Sequence, residues 1–370
     1  MEHTDTAVIR RTLQRRCAAR GIPVSGTFEL TPRCNLSCKM CYIRLSPEEM
    51  SRIGREVTAE EWIALARDAR DAGLLFLLIT GGEPTLRKDF PYLYEEFVKL
   101  GLSISINTNG TLLTPEIRSL WHRLPPAQVN ITLYGTSAED YAALCGNGDV
   151  FRQVTENIEW LQSEGILLHL NTTLTPQNRH RLDELEAFAA AHHLDLQTTT
   201  YCFPPVRRAD VPSSDGFSRL SPEEAAQCAV RDIFIREGIE GITRRIAENA
   251  PAHPNPCESD LGDPIRCLAG HSQFWITWDG RMLPCGMLDN ICFRPFSSSF
   301  TECWKQLHEA CASIRLCPDC VSCPDRDTCL NCAAVVYTET GTLDGRPDYM
   351  CRLNRAYKEE LRTVAESFRK

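Results

Sequence analysis

Residues 31–42, TPRCNLSCKMCY, place Cys34, Cys38 and Cys41 in the spacing CxxxCxxC, and residues 74–84, LLFLLITGGEP, run a short apolar stretch straight into Gly81, Gly82, Glu83 and Pro84. A 4Fe–4S cluster normally takes four thiolates, so three on one loop leave one iron open for a cofactor or substrate. Structural zinc prefers paired CxxC hooks that close four ligands, and the local run offers no fourth Cys or His.

Working outward, strand-like runs cover Thr27–Thr31, Leu74–Thr80, Ser103–Thr108, Val129–Tyr134, Leu167–Leu174 and Asp195–Tyr201. They are short, apolar and rich in β-branched residues. Helical patterns lie between them. Trp62, Leu65, Ala66 and Ala69 recur at i, i+3, i+4 and i+7, opened by the capping-box pair Thr58 and Glu61. Phe151, Val154, Ile158 and Leu161 repeat the pattern, as do Leu182, Leu185 and Phe188, and Gly73, Gly101 and Gly165 stand where helices end. Alternating strands and helices predict a parallel sheet. Six units are too few to close an eight-stranded barrel, so the sheet should stay open. The cysteine loop, the Gly-Gly loop and Asn107–Gly110 all fall at strand C-terminal ends, where such folds put their active sites.

The two motifs, in this order, resemble the radical S-adenosylmethionine (SAM) enzymes. The resemblance implies an α/β fold: a partial (β/α)6 TIM-like barrel over residues 24–203, after an N-terminal segment 1–23. It implies that SAM chelates the open iron beside Cys34, Cys38 and Cys41, and that Gly81, Gly82, Glu83 and Pro84 meet its methionine end. Asn107, Thr108 and Asn109 would reach the ribose, while Met40 and Tyr42 would shield the cluster and pack on adenine. Reductive cleavage of SAM then gives a 5′-deoxyadenosyl radical that abstracts hydrogen from the substrate. Taken as residues alone, Asn109-Gly110 also suits a turn, and Met40, Tyr42 and Tyr134 also suit packing.

Residues 204–256 interrupt the alternation with PPVRRADVPSSDG, a helical stretch from Pro222 and a Pro-rich run, and predict a bridging helical linker. Beyond it cysteines crowd, and periodic helices thin out except over Phe300–Ala312 and after Cys351. Cys267 is followed by twelve residues, Gly280, four residues and Cys285; then come Cys317, Cys320, Cys323, Cys329, Cys332 and finally Cys351. This resembles the SPASM extension of radical SAM enzymes, with two residues rather than the family's three between Cys329 and Cys332. The resemblance implies a small cysteine-rich iron–sulfur domain over 257–370 with two auxiliary 4Fe–4S clusters. One would take Cys267, Cys285 and Cys332, with Cys257 as fourth ligand; the other would take Cys320, Cys323, Cys329 and Cys351. A segment this small builds little apolar core, and clusters would supply the missing cross-links. Paired CxxC hooks leave structural zinc as the alternative here. Cys17, Cys145, Cys202, Cys228, Cys292, Cys303, Cys311 and Cys317 read as small buried hydrophobes.

A net charge of −9 argues against nucleic acid as a partner. The run Arg10, Arg11, Arg15, Arg16 and Arg20 reads as a solvated helix face. No stretch suits a membrane span or a signal peptide, which points to the cytoplasm. Nineteen cysteines in that reducing compartment favour metal ligation over disulfides. The expected function is oxidative modification of a peptide substrate, by a thioether or carbon–carbon cross-link in a ribosomally made peptide. Electrons would come from a flavodoxin- or ferredoxin-type donor. About 26 residues precede the first strand, too few for a leader-binding domain. The peptide would then need another docking surface or a separate recognition protein. Two alternatives use the same machinery: a small-molecule substrate in cofactor biosynthesis, and a sulfatase-maturase-like Ser/Cys oxidase. Gly286 counts against the last, because sulfatase-maturing members carry Asp directly after the cysteine equivalent to Cys285. A zinc-stabilised interaction protein on a degenerate barrel is the reading from another class.

Overall fold

A computed structural model describes residues 2–205, 207–208, 218–248, 267–326, 328–329 and 331–369. Six strands form where the alternation predicts them: β1 (Ser25–Glu29), β2 (Phe76–Thr80), β3 (Ser103–Thr108), β4 (Gln128–Thr132), β5 (Leu168–Thr173) and β6 (Leu196–Thr199). They pair in chain order and all in parallel. Helix α1 (Glu2–Ala18) precedes β1. The connections hold α2 (Pro47–Ile53), α3 (Ala59–Asp71), α4 (Phe90–Lys99), α5 (Pro115–Arg123), α6 (Ala138–Cys145), α7 (Val150–Ser163) and α8 (Leu182–Ala191). Thr58 caps α3 and Glu61 returns the bond to the Thr58 amide, the reciprocal pair expected from the sequence. Gly73, Gly101 and Gly165 end their helices at φ 120, 77 and 69, a region that favours glycine.

The bridging segment contains α9 (Pro222–Glu248), which kinks at Gly238, φ 62. Residues beyond 267 then rejoin the sheet. β7 (Gln273–Ile276) pairs in parallel with β1, and β8 (Met282–Leu283) folds back antiparallel on β7, giving the order β6-β5-β4-β3-β2-β1-β7-β8. These two strands went unread because four and two residues amid cysteines carry little periodicity of their own. Tertiary packing makes them: a Cβ on Gly26 of β1 would lie 2.5 Å from the Phe274 ring, so only bare backbone lets that ring lie across β1. Phe274 continues the aromatic core of Phe28, Trp62 and Phe97. It packs against Phe300 and Trp304 of α10 (Phe300–Ala312), with ring centroids 5.0 and 6.1 Å away. Two short helices follow, α11 (Pro318–Val321) and α12 (Ala333–Thr340), then α13 (Asp348–Ser367), which starts before Cys351 and carries it in its first turn. α13 packs along α9 around Val230, Ile233, Ile242 and Leu361. No described helix is long and apolar enough to cross a membrane.

Candidate active site

The loop after β1 carries the first three cysteines, and its backbone is pinned by its neighbours. Leu30 N–H donates to the Thr80 carbonyl (2.9 Å), Gly82 N–H to Thr31 (2.7 Å) and Glu83 N–H to Arg33 (2.8 Å). A Cβ on Gly81 would meet the Thr31 carbonyl at 2.5 Å, and one on Gly82 the Arg33 carbonyl at 2.4 Å. The Gly-Gly pair is thus what lets the second loop lie against the first. On the far side, Ser37 and Lys39 N–H donate to the Cys145 and Leu144 carbonyls at the end of α6 (2.9 and 3.1 Å). Amides also face the sulfurs: Leu36 N lies 3.4 Å from Cys34 Sγ, and Arg44 N 3.3 Å from Cys41 Sγ. Burial pushes the Cys34 thiol up to about 12. A bound iron would reverse that preference, since coordinating thiols are deprotonated.

Glu83 and Pro84 are buried behind this loop. The Glu83 carboxylate accepts from Thr85 N–H (3.1 Å), Thr85 Oγ1 (2.6 Å), Thr108 Oγ1 (2.8 Å) and Asn109 N–H (2.7 Å). Burial raises its pKa, and these donors oppose the rise. Asn109 Nδ2 donates to Asn35 Oδ1 (2.9 Å) and approaches Cys34 Sγ (3.6 Å). Glu83 and Asn109 therefore tie the β2 and β3 loops to the cysteine loop.

Cys34, Cys38 and Cys41 border a cavity of about 330 Å³, in the range of small-ligand sites. Met40, Tyr42, Gly81, Gly82, Asn107, Thr108 and Asn109 line it as well; Glu83 and Pro84 do not. Its wall has a feature the sequence reading passed over. Thr80, Thr108, Thr132, Thr173 and Thr199, the last residues of β2 to β6, all face it, a collar of hydroxyls set one per strand. Tyr134, Tyr201, Cys202 and Phe203 add to the wall, and Met287 reaches it from beyond β8. Among the described residues, none that lines it is charged.

Charge lies just outside. Glu29, fully buried at the end of β1, pairs with Arg207 (2.5 Å) and accepts from Trp275 Nε1 (2.9 Å). Arg208 Nη1 donates to the Cys41 carbonyl (3.0 Å). A glutamate inside an apolar strand and an Arg-Arg pair after β6 were the available signals for this network.

The later cysteines gather at two places. Cys320, Cys323, Cys329 and Cys351 border a cavity of about 490 Å³ that also takes Arg346 and Arg355. Asn331 Nδ2 approaches Cys320 Sγ at 3.6 Å. Cys267, Cys285 and Cys332 border a smaller cavity of about 40 Å³, together with Cys311. Burial pushes both the Cys285 and Cys320 thiols up to about 12. Cys257 lies outside the described residues. Cys17, Cys145, Cys228, Cys303 and Cys317 are buried, and Cys292 is half-buried. Donor chemistry and grouping fit iron–sulfur clusters at all three places: soft thiolates in threes and fours around a cavity.

The Radical SAM superfamily profile matches residues 28–189. An AdoMet-dependent heme synthase of Nitratidesulfovibrio vulgaris is 26% identical over 339 residues, covering 85% of this chain and 88% of that protein. A PqqA peptide cyclase of Rhizobium meliloti is 26% identical over 275 residues, covering 73% and 69%. Streptococcus suis SuiB bound to precursor peptide SuiA has a similar fold, with TM-score 0.65 and 19% identity over 91% of this chain and 79% of that one. The three cysteines and the Gly-Gly loop lie inside the matched region, so residues 28–189 carry the radical SAM superfamily pattern.

Proposed function

We propose that this chain is a SPASM-type radical SAM enzyme that oxidatively modifies a peptide, by a thioether or carbon–carbon cross-link. The observation that carries the reading is the neutral cavity bordered by Cys34, Cys38, Cys41 and the Gly81–Gly82 turn. Bound there, a 4Fe–4S cluster and SAM would supply the hydrogen-abstracting radical, and auxiliary clusters an acceptor for the electron released as the new bond closes. The chain's own residues hold and shield. Cys34, Cys38 and Cys41 would ligate the first cluster, and Gly81 and Gly82, without side chains, leave room beside it. Leu36, Met40 and Ile43 cover it with apolar surface. Thr108 gives its hydroxyl to Glu83, and the other threonines of the collar would offer theirs to the ribose and to backbone amides of a peptide. Cys320, Cys323, Cys329 and Cys351 would hold one auxiliary cluster, in a wall that carries Arg346 and Arg355 alongside Asp319 and Asp325. Cys267, Cys285 and Cys332 would hold the other.

A peptide substrate is supported by the PqqA peptide cyclase relative and by the fold shared with peptide-bound SuiB. Docking would use either the cavity mouth or a separate recognition protein, and a flavodoxin or ferredoxin in the cytoplasm would deliver electrons. The heme synthase relative supports a second reading, a small molecule in cofactor biosynthesis. A tetrapyrrole carries carboxylates; the described wall is uncharged, and Arg207 and Arg208 just outside it are bonded to Glu29 and to the Cys41 carbonyl. A Ser/Cys oxidase needs a base after Cys285, where this chain has Gly286, and a Cβ there would press on the Trp275 ring at 3.0 Å.

Anaerobic protein given dithionite and SAM should release 5′-deoxyadenosine. Co-expression with a short peptide encoded beside it should yield that peptide lighter by two hydrogens. No 5′-deoxyadenosine would sink the enzyme reading. SAM cleavage with an unchanged peptide, but with a porphyrin consumed, would favour the second.

A further inference from the structure

The small cavity that gathers Cys267, Cys285 and Cys332 has a fourth thiol in its wall, Cys311. Cys311 lies in the last turn of α10, a helix otherwise packed as core, and is 5% exposed. Its sulfur faces the turn that follows Cys267: a Cβ built on Gly270 would come within 2.2 Å of Cys311 Sγ. Gly270 stands at φ 74 and its N–H donates to the Gln273 carbonyl (2.7 Å), so the turn is closed by backbone and bare toward the thiol. The four cysteines come from four segments: the arm before β7, the loop after β8, the end of α10 and the start of α12. The wall between them is mostly apolar, with Leu288, Ile314, Ala333 and Ala334. His271 also borders the cavity, but its ring packs edge-on against His308 at 5.5 Å. Cys267 alone of the four is exposed.

A 4Fe–4S cluster takes four thiolates when fully protein-bound. We propose that Cys311 is the fourth ligand of the auxiliary cluster at Cys267, Cys285 and Cys332. The proposal rests on the auxiliary-cluster reading above. It has a functional consequence: with a thiolate on every iron, this cluster offers no open position to a substrate and serves electron transfer alone. The sequence reading offered Cys257, upstream of the motif that begins at Cys267, for this role.

Iron and sulfide counted on the anaerobically reconstituted full chain test it. Wild type should hold about twelve irons per chain, Cys311→Ala about eight and Cys257→Ala about twelve. Electron paramagnetic resonance of the reduced protein should lose one auxiliary signal in Cys311→Ala. Cys303→Ala removes another buried thiol from α10 that does not border the cavity, and should keep the full complement. If Cys311→Ala misfolds, Cys311→Ser decides: a lost or shifted auxiliary signal supports ligation, and an unchanged one overturns it. Full iron in Cys311→Ala, or four irons lost in Cys257→Ala, overturns the assignment and leaves the auxiliary clusters standing. A wild-type chain with about four irons overturns both readings.

Discussion

The two cysteine regions are built in opposite ways. On the barrel, Cys34, Cys38 and Cys41 share one loop, held by the Gly81–Glu83 backbone, by the end of α6 and by Arg208. In the C-terminal region the cysteines come from separate segments, and Cys320, Cys323 and Cys329 border a stretch whose one regular element is the four-residue α11. The barrel orders its site through sheet and helix packing. The C-terminal site gathers its thiols across loops, which a cluster would then cross-link. The first site is a product of the fold; the second would help to make it once a cluster is bound.

The largest effect should therefore separate activity from folding. Cys38→Ala is expected to reduce SAM cleavage to background, because the cluster loses a ligand, while the circular dichroism spectrum stays that of wild type. A variant that still forms 5′-deoxyadenosine would break the comparison on the barrel side. Iron removal probes the other side. Chelation should strip amide-exchange protection from the loops around Cys320, Cys323 and Cys329 toward that of unfolded chain, and leave β1 to β7 protected. Uniform loss across both regions would mean that one cooperative unit carries both sites.

A smaller change sharpens how the loop is held. Gly82→Ala puts a methyl against the Arg33 and Pro32 carbonyls. It should destabilise the chain by about 1–3 kcal/mol and lower SAM cleavage further than stability alone explains. Wild-type denaturation and turnover together would show that the close approach is not needed.

The smallest effect lies at the seam between α8 and α9. Glu186 of α8 lies beside Asp232 of α9 there, with Arg236 Nε 3.7 Å from Glu186 Oε1 and Arg236 Nη1 reaching the Leu196 carbonyl at 3.3 Å. Burial first, then Asp232, pushes the Glu186 carboxyl up to about 7 from its ordinary 4.5. The folded chain binds that proton more tightly than the unfolded one does. This group's contribution to stability therefore falls as pH rises between those two values, and levels off above. Glu186→Gln should flatten the slope in denaturant titrations; an unchanged slope would remove the pair from the account.

Much of the barrel was legible because its signals are local. Strand runs, the Thr58–Glu61 box and helix-ending glycines each act within a few residues, and six strands and the α10 span follow from them. The cysteine spacing likewise announced a shared loop. What stayed hidden depends on distant partners. β7 is a strand because β1 offers it an edge and Gly26 makes room for Phe274. Glu83, read as a ligand contact, is enclosed by Thr85, Thr108 and Asn109, a placement that only the meeting of the β2 and β3 loops creates.

By itself, the sequence determined the α/β alternation, the three-thiol loop, the Gly-Gly turn beside it and the crowd of later cysteines, because spacing along the chain encodes each. Only the tertiary structure decided which later cysteines meet, that Cys311 joins Cys267, Cys285 and Cys332, and that the cavity wall is a neutral threonine collar. Those are matters of which strand ends and helix faces converge, and residues far apart in the chain become neighbours only once the sheet has set their places.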